Sequence, residues 1–274
     1  MRRDPTEWTD PASPDVEFLS TGNGRSHKPM ADVRIVLVEP SHPGNIGGAA
    51  RAMKTMGITS LYLVRPARFP DPQADWRSAR AVDVLAQAKV VDNLDDAIAD
   101  CVLAVGTSTR SRRIRLPLAD AQTVAERLAT EHVNDRVAIL FGRETSGLTN
   151  EELQRCQLHL SIPATPEYPS LNLAMSVQVV CYELFKAASS PQPPETASSD
   201  ARLASLEEVE GFLAHFEAVL KRIDFLKPSA PRQAMPRLRR MFGRIGLEQT
   251  EVGMLRGILS HIEPRHCPNP DQDD

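Results

Sequence analysis

The chain has 274 residues, a formal net charge of −4 and 41% hydrophobic residues, the balance of a globular protein able to bury a sizeable core. No run approaches the roughly 18–20 apolar residues needed to cross a bilayer, so no membrane association is expected. Cys101, Cys156, Cys181 and Cys267 are widely spaced and form no C-x-x-C pair, which argues against a disulfide framework and for a cytoplasmic protein with reduced thiols.

Residues 1–31 are polar and rich in turn formers, and they lack the apolar core of a signal peptide; a disordered leader is expected there. From residue 32 to about 187, short apolar runs alternate with helix-length segments. The runs occupy 33–39, 60–65, 88–92, 101–106, 137–142 and 158–163, and are rich in Val, Ile and Leu on both faces. That pattern predicts an α/β domain, a parallel sheet with helices on both faces. Helices are expected at about 45–56, 76–87, 119–130, 149–156 and 171–186. The last is apolar nearly all round, so it should be buried against the sheet or a partner subunit.

Residues 188–204 have linker composition. Beyond them, 205–263 read as a small all-helical extension. Val209, Phe212, Leu213, Phe216, Val219, Leu220 and Ile223 follow helical spacing, as do Val252, Leu255, Ile258, Leu259 and Ile262. An arginine-rich stretch, 237–244, starts its own short helix after Pro228, Pro231 and Pro236. The extension is too short to be stable without docking on something. Residues 264–274 form an acidic tail.

Charge is unevenly spread. Between Lys221 and Arg244 eight basic residues face a single acid, Asp224, and Arg110, Arg112, Arg113 and Arg115 form a second cluster. Such local patches bind phosphate backbones even in a mildly acidic protein, because screening makes distant charges count little.

Three motifs sit where strands end. PGNIGGAARAMKTMG (43–57) follows the first strand, and its glycines at 44, 47 and 48 allow the backbone to approach a ligand closely. It is not G-x-G-x-x-G, and no acidic residue ends the second strand, so a nucleotide-dependent dehydrogenase is disfavoured. Spacing leaves Asn45 open as a helix cap or a ligand contact, and Arg51 as a surface charge or a functional one. FGRETSGLTNEEL (141–153) follows the fifth run. Thr149 and Glu152 have capping-box spacing, while Arg143 and Glu144 lie where parallel sheets bind ligands, or pair with each other. In IPATPEYPSLNLAMS (162–176), three prolines lead into the apolar helix. Ser170 is a natural N-cap, and Asn172 needs partners for its amide. His261, His266 and Cys267 have no ligand partner at a recognised spacing, so no metal is expected.

Taken together, PGNIGGAAR, VGTSTR (105–110), FGRETSGL and IP-x6-SLNLAMS resemble the SPOUT superfamily of RNA methyltransferases. More narrowly, they resemble its TrmJ branch, the 2′-O-methyltransferases of nucleotide 32 in the tRNA anticodon loop. The resemblance covers about residues 32–187, and the extension to about 263 is similar as well. It implies a C-terminal trefoil knot, a homodimer with the knot helix at its interface, and S-adenosyl-L-methionine as methyl donor. The donor would be held by Thr107, Ser108, Thr109, Gly142, Ile162, Ser170 and Leu171. Arg51 matches the proposed catalytic arginine, Asn45, Ser170 and Asn172 match residues around it, and Glu144 matches a position close by. A guanidinium holds its proton at neutral pH, so a phosphate-gripping and oxyanion-stabilising role suits Arg51 better than that of a base. Arg110, Arg112, Arg113, Arg237, Arg239 and Arg240 are the expected RNA contacts. The runner-up readings are a related enzyme acting on rRNA or another tRNA position, and a non-catalytic RNA-binding relative.

Overall fold

The protein is described by a computed structural model covering residues 31–108, 118–189, 202–226 and 234–262. In chain order the elements are β1 (Asp32–Val38), α1 (Pro43–Thr55), β2 (Ser60–Val64), α2 (Pro72–Ser78), α3 (Val82–Ala86), β3 (Lys89–Val91) and α4 (Leu94–Ile98). There follow β4 (Leu103–Thr107), β5 (Leu118–Ala119), α5 (Ala121–Glu131), β6 (Arg136–Phe141), α6 (Asn150–Gln154), β7 (Leu158–Leu160) and α7 (Leu173–Ser189). The extension comprises α8 (Leu206–Arg222), α9 (Ala234–Ile245) and α10 (Gln249–Ile262).

The strands form one sheet in the order β3-β2-β1-β6-β4-β7-β5, and every pairing is parallel. Alternation along β1 shows why its residues are apolar throughout. Val33, Ile35 and Leu37 join the core under α1, α5 and α7, while Val36 and Val38 face the core under α4 and α6. All six expected strands are present. The two-residue β5 was not expected; it sits at the sheet edge, where Leu118 is largely exposed.

The expected helix over 76–87 is instead two short ones. Asp71 caps α2 by accepting a hydrogen bond from the Gln73 amide, Pro72 occupies its first turn, and Ala79 at φ 51° turns the chain before α3. The five-residue α4, capped by Asn93, was also unforeseen. Along α7, Leu173, Val177, Val180, Cys181 and Leu184 are buried, and the helix packs on α1 and α5. Its other side is open, with Met175 62%, Tyr182 50% and Phe185 40% exposed, so burial within the chain is one-sided.

In the extension Phe212 stacks on Phe216 and Phe242 packs edge-on to both, with centroids 5.0–6.1 Å apart, in a cluster with Leu213, Val219, Val252 and Leu259. Ile223, Ile258 and Ile262, expected inside from their spacing, are about half exposed. The unit docks on the sheet domain through Leu206 N–H to Cys101 O (2.8 Å), Glu207 N–H to Ala99 O (3.1 Å), and Arg155 paired with Asp95 and Glu210. Ala31 and Ala204, placed in the expected leader and linker, are buried; residues 1–30 and 190–201 lie outside the described residues.

Candidate active site

The carboxyl ends of β4, β6 and β7 meet the loop before α7, and a cavity of about 250 Å³ opens there. Thr107, Ser108, Gly142, Ile162, Ser170 and Leu171, six of the seven residues expected at the cofactor, all line it. Thr109 lies outside the described residues. Phe141, Leu160 and Leu173 add apolar surface, and Glu144 and Ser176 add polar groups. Thr107 donates its hydroxyl to Leu140 O (2.8 Å), and Ser108 N–H bonds Leu160 O (3.0 Å), so the end of β4 is tied to both neighbouring strands. A larger cavity, of about 660 Å³, lies between α4, α8 and α9 at the amino ends of β4 and β7, and holds none of the expected cofactor-binding or catalytic residues.

The loop after β6 is drawn tight. A Cβ on Gly142 would fall 2.1 Å from the Gly147 carbonyl carbon and 2.2 Å from Leu148 N, so only glycine allows this closure. Arg143 fastens the loop through Nε to Glu39 (2.7 Å) and its terminal nitrogens to Glu152 (2.9 and 3.0 Å). Donating to the Glu152 and Glu39 carboxylates raises the Arg143 pKa above its ordinary value. Glu152 thus does more than complete the capping box with Thr149, which is also present. Arg143 and Glu144, read as a possible local pair, face different partners.

Glu144 is the hub. It accepts hydrogen bonds from Ser41 N–H (3.0 Å), the Ser41 hydroxyl (2.9 Å), His42 N–H (3.2 Å) and the Asn45 side-chain amide (3.0 Å). Burial pushes this carboxyl up, but the bonds from Asn45 and Ser41 outweigh it and hold the pKa at about 2. Asn172 donates to Asn45 Oδ1 (2.9 Å), and its own Oδ1 accepts Ala174 N–H (2.9 Å). Glu144, Asn45 and Asn172 therefore form one chain that joins the loop after β6, the first turn of α1 and the start of α7. The N-cap of α7 is Asn172 and not Ser170, and that of α1 is His42 rather than Asn45. Ser170 lines the cavity instead.

Because the Glu144 pKa is depressed from 4.5 to about 2, its stabilisation is fully present above pH 4.5 and lost as pH falls toward 2. Compared with Glu144→Gln, the native chain should keep a constant margin in melting temperature from pH 8 to 5. That margin should shrink at pH 4 and again at pH 3; a margin that widens in acid contradicts the assignment.

The motif's glycines serve helix packing rather than a ligand. A Cβ on Gly47 would lie 2.1 Å from Ala74 O of α2, and one on Gly48 would lie 2.9 Å from the Ala174 Cβ of α7. Arg51 is one helical turn beyond Gly48. It is exposed, outside the cavity lining, and its guanidinium has no carboxylate partner among the described residues. Of the expected RNA contacts, Arg237 is exposed, Arg240 is half-buried, and Arg239 is bonded to Glu210. Arg110, Arg112 and Arg113, together with His266 and Cys267, lie outside the described residues. Sequence reasoning missed Glu39, Ser41 and His42. His42 acts through its backbone amide and Ser41 through its amide as well as its hydroxyl, and a backbone contact leaves no trace in residue type.

Residues 32–182 match the SpoU rRNA Methylase family, and residues 207–272 match the TrmJ tRNA methyltransferase C-terminal domain. The tRNA (cytidine/uridine-2′-O-)-methyltransferase TrmJ of Cronobacter sakazakii is 46% identical over 244 residues, covering 88% of this chain and all of that protein. The tRNA (cytidine/uridine/adenosine-2′-O-)-methyltransferase TrmJ of Pseudomonas aeruginosa is 47% identical over 241 residues, covering 84% and 93%. The crystal structure of TrmJ from Z. mobilis matches with a TM-score of 0.73 at 31% identity, covering 84% of this chain and 99% of that one. The chain belongs to the SpoU methylase family and, within it, to the TrmJ tRNA (cytidine/uridine-2′-O-)-methyltransferases.

Proposed function

We propose that the chain transfers a methyl group from S-adenosyl-L-methionine to the ribose 2′-hydroxyl of nucleotide 32 in the tRNA anticodon loop, at cytidine, uridine or both. The observation that carries this reading is the convergence of Thr107, Ser108, Gly142, Ile162, Ser170 and Leu171 on one cavity beside the Glu144–Asn45–Asn172 chain. The relatives' names supply tRNA and the 2′-oxygen; nucleotide 32 rests on the motif resemblance.

The cavity's chemistry fits the donor. Leu160, Ile162 and Leu171 offer apolar walls for a purine, three loops offer backbone groups for its edge, and ionised Glu144 offers a counter-charge. When bound, S-adenosyl-L-methionine supplies an electrophilic methyl carbon on a positively charged sulfur. The chain's own part is positioning and electrostatics. Asn45, bonded to Glu144 and to Asn172, ties the carboxylate that lines the cavity to the first turn of α1 and the start of α7. Arg51 grips the phosphate beside the target ribose and stabilises negative charge developing on the 2′-oxygen.

The same reading includes a trefoil knot at the carboxyl ends of β6, β7 and α7, a homodimer, a cytoplasmic location and RNA contacts from the arginines of α9 and of residues 110–113. The open side of α7, with Met175, Tyr182 and Phe185, supports pairing with a second copy. No described helix is long and apolar enough to cross a membrane.

Incubation with methyl-tritiated S-adenosyl-L-methionine and separate pools of tRNA and rRNA tests the assignment. Label is expected in tRNA. Label confined to rRNA would favour the ribosomal runner-up, and none in either would favour a non-catalytic protein.

A further inference from the structure

Trp76 is 79% exposed, although tryptophan ordinarily buries most of its roughly 150–250 Å² of side chain. Its support is rigid. On the other side of α2, Ala74 and Ser78 are buried, and Gly47 lets the backbone of α1 come into contact with Ala74. Lys54 of α1 adds bonds to Arg80 O (2.8 Å) and Asp83 (2.7 Å). The ring is thus held out from a well-packed helix pair.

Arg77 stands beside it, its guanidinium carbon 5.8 Å from the ring centroid and within reach of a cation–π contact. The stem of Arg77 crosses the first turn of α1. Its Cγ would be 3.5 Å from a Cβ on Gly44, and its Cβ 3.0 Å from one on Gly47. Gly44 immediately precedes Asn45, so this pair borders the Glu144–Asn45–Asn172 chain. Arg77 and Arg80 have no carboxylate partner among the described residues, whereas Asp71 caps its own helix and lies 4.0 Å from Arg68. Of the exposed residues near the ring in sequence, Asp75, Arg77 and Arg80 are charged and Gln73 is polar, while Pro72, Ala79 and Val82 are apolar, so charge surrounds the ring more closely than in the broad apolar patch of a typical subunit contact.

We propose that Trp76 and Arg77 form a platform for single-stranded RNA, the indole stacking on an unpaired base near the target nucleotide and Arg77 holding the adjoining phosphate. A base of any identity presents a π face, so this contact adds affinity and positions the loop without reading sequence. The identity of the RNA rests on the activity proposed above; the platform itself rests on the exposed ring, on Arg77 with no carboxylate partner among the described residues, and on their place beside α1.

The test uses full-length chain carrying Trp8→Phe, which leaves Trp76 as the sole tryptophan of the two. Titration with unmodified tRNA transcript and with a single-stranded heptanucleotide should quench its fluorescence. In the native background, Trp76→Ala should raise KM for tRNA about tenfold to a hundredfold, with kcat nearly unchanged and S-adenosyl-L-methionine affinity intact. Trp76→Phe should restore most of the loss, and Arg77→Ala should weaken RNA binding in a salt-dependent way. Unquenched fluorescence with bound tRNA, or an unaltered KM in Trp76→Ala, overturns the platform while leaving the methyl-transfer reading intact. Dissociation of a dimer by Trp76→Ala would make the ring a subunit contact and also overturn it. Quenching by RNA without any methyl transfer would support the platform and count against the activity.

Discussion

Arg51→Ala is expected to lower the rate of methyl transfer to tRNA by about 10²–10³-fold, a loss of roughly 2.7–4 kcal/mol of transition-state stabilisation. Arg51 is exposed on α1 and carries no carboxylate partner among the described residues, so its charge is available to substrate. It does not line the cavity beside Glu144, so the affinity for S-adenosyl-L-methionine should stay within about twofold by calorimetry. Arg51→Lys should recover part of the rate, because a point charge replaces the planar fork that matches a phosphate. Loss of donor binding equal to the loss of rate would assign Arg51 to the cavity instead.

Gly142→Ala is expected to be nearly as damaging by another route. The added methyl would meet backbone atoms at 2.1 and 2.2 Å, which no rotamer change can relieve. The loop must open, and the Arg143 contacts to Glu39 and Glu152 open with it. Overpacking of this kind costs about 1–3 kcal/mol or more, a fall in melting temperature of roughly 3–10 °C for a domain of this size. Donor affinity should drop at least tenfold. Gly253→Ala is the control. A Cβ there meets nothing within 4 Å in the middle of α10, so this change should be neutral or stabilising by up to about 1 kcal/mol. Equal behaviour of the two variants would show that helix propensity, not loop closure, decides the effect.

Much of the fold was legible because burial on both faces of a parallel sheet leaves continuous Val, Ile and Leu runs, as in β1 and β6. What escaped was short or conformational. Nothing about alanine at 79 announces a left-handed backbone, so α2 and α3 merged into one expected helix. At the site, side-chain chemistry near strand ends pointed to loops that the fold brings together around one cavity. Their mutual contacts joined residues about 100 positions apart, and half of the donors to Glu144 are backbone amides. Gly47 and Gly48 of the first motif show a related effect. A missing Cβ marks close approach but not what approaches, and here it is α2 and α7 rather than a ligand. In the extension, helical spacing located α10 but not which of its apolar residues face inward, since Ile258 and Ile262 stay about half exposed and outside the cluster around Phe212.

The most direct measurement of the central claim is methyl transfer to a pair of tRNA transcripts that differ only at nucleotide 32, one with ribose and one with 2′-deoxyribose, followed by mass-spectrometric mapping. The account predicts one methyl group per ribose transcript, located on the 2′-oxygen of nucleotide 32, and none on its deoxy counterpart. Methylation of both transcripts, or a methyl group on a base or at another position, would contradict it.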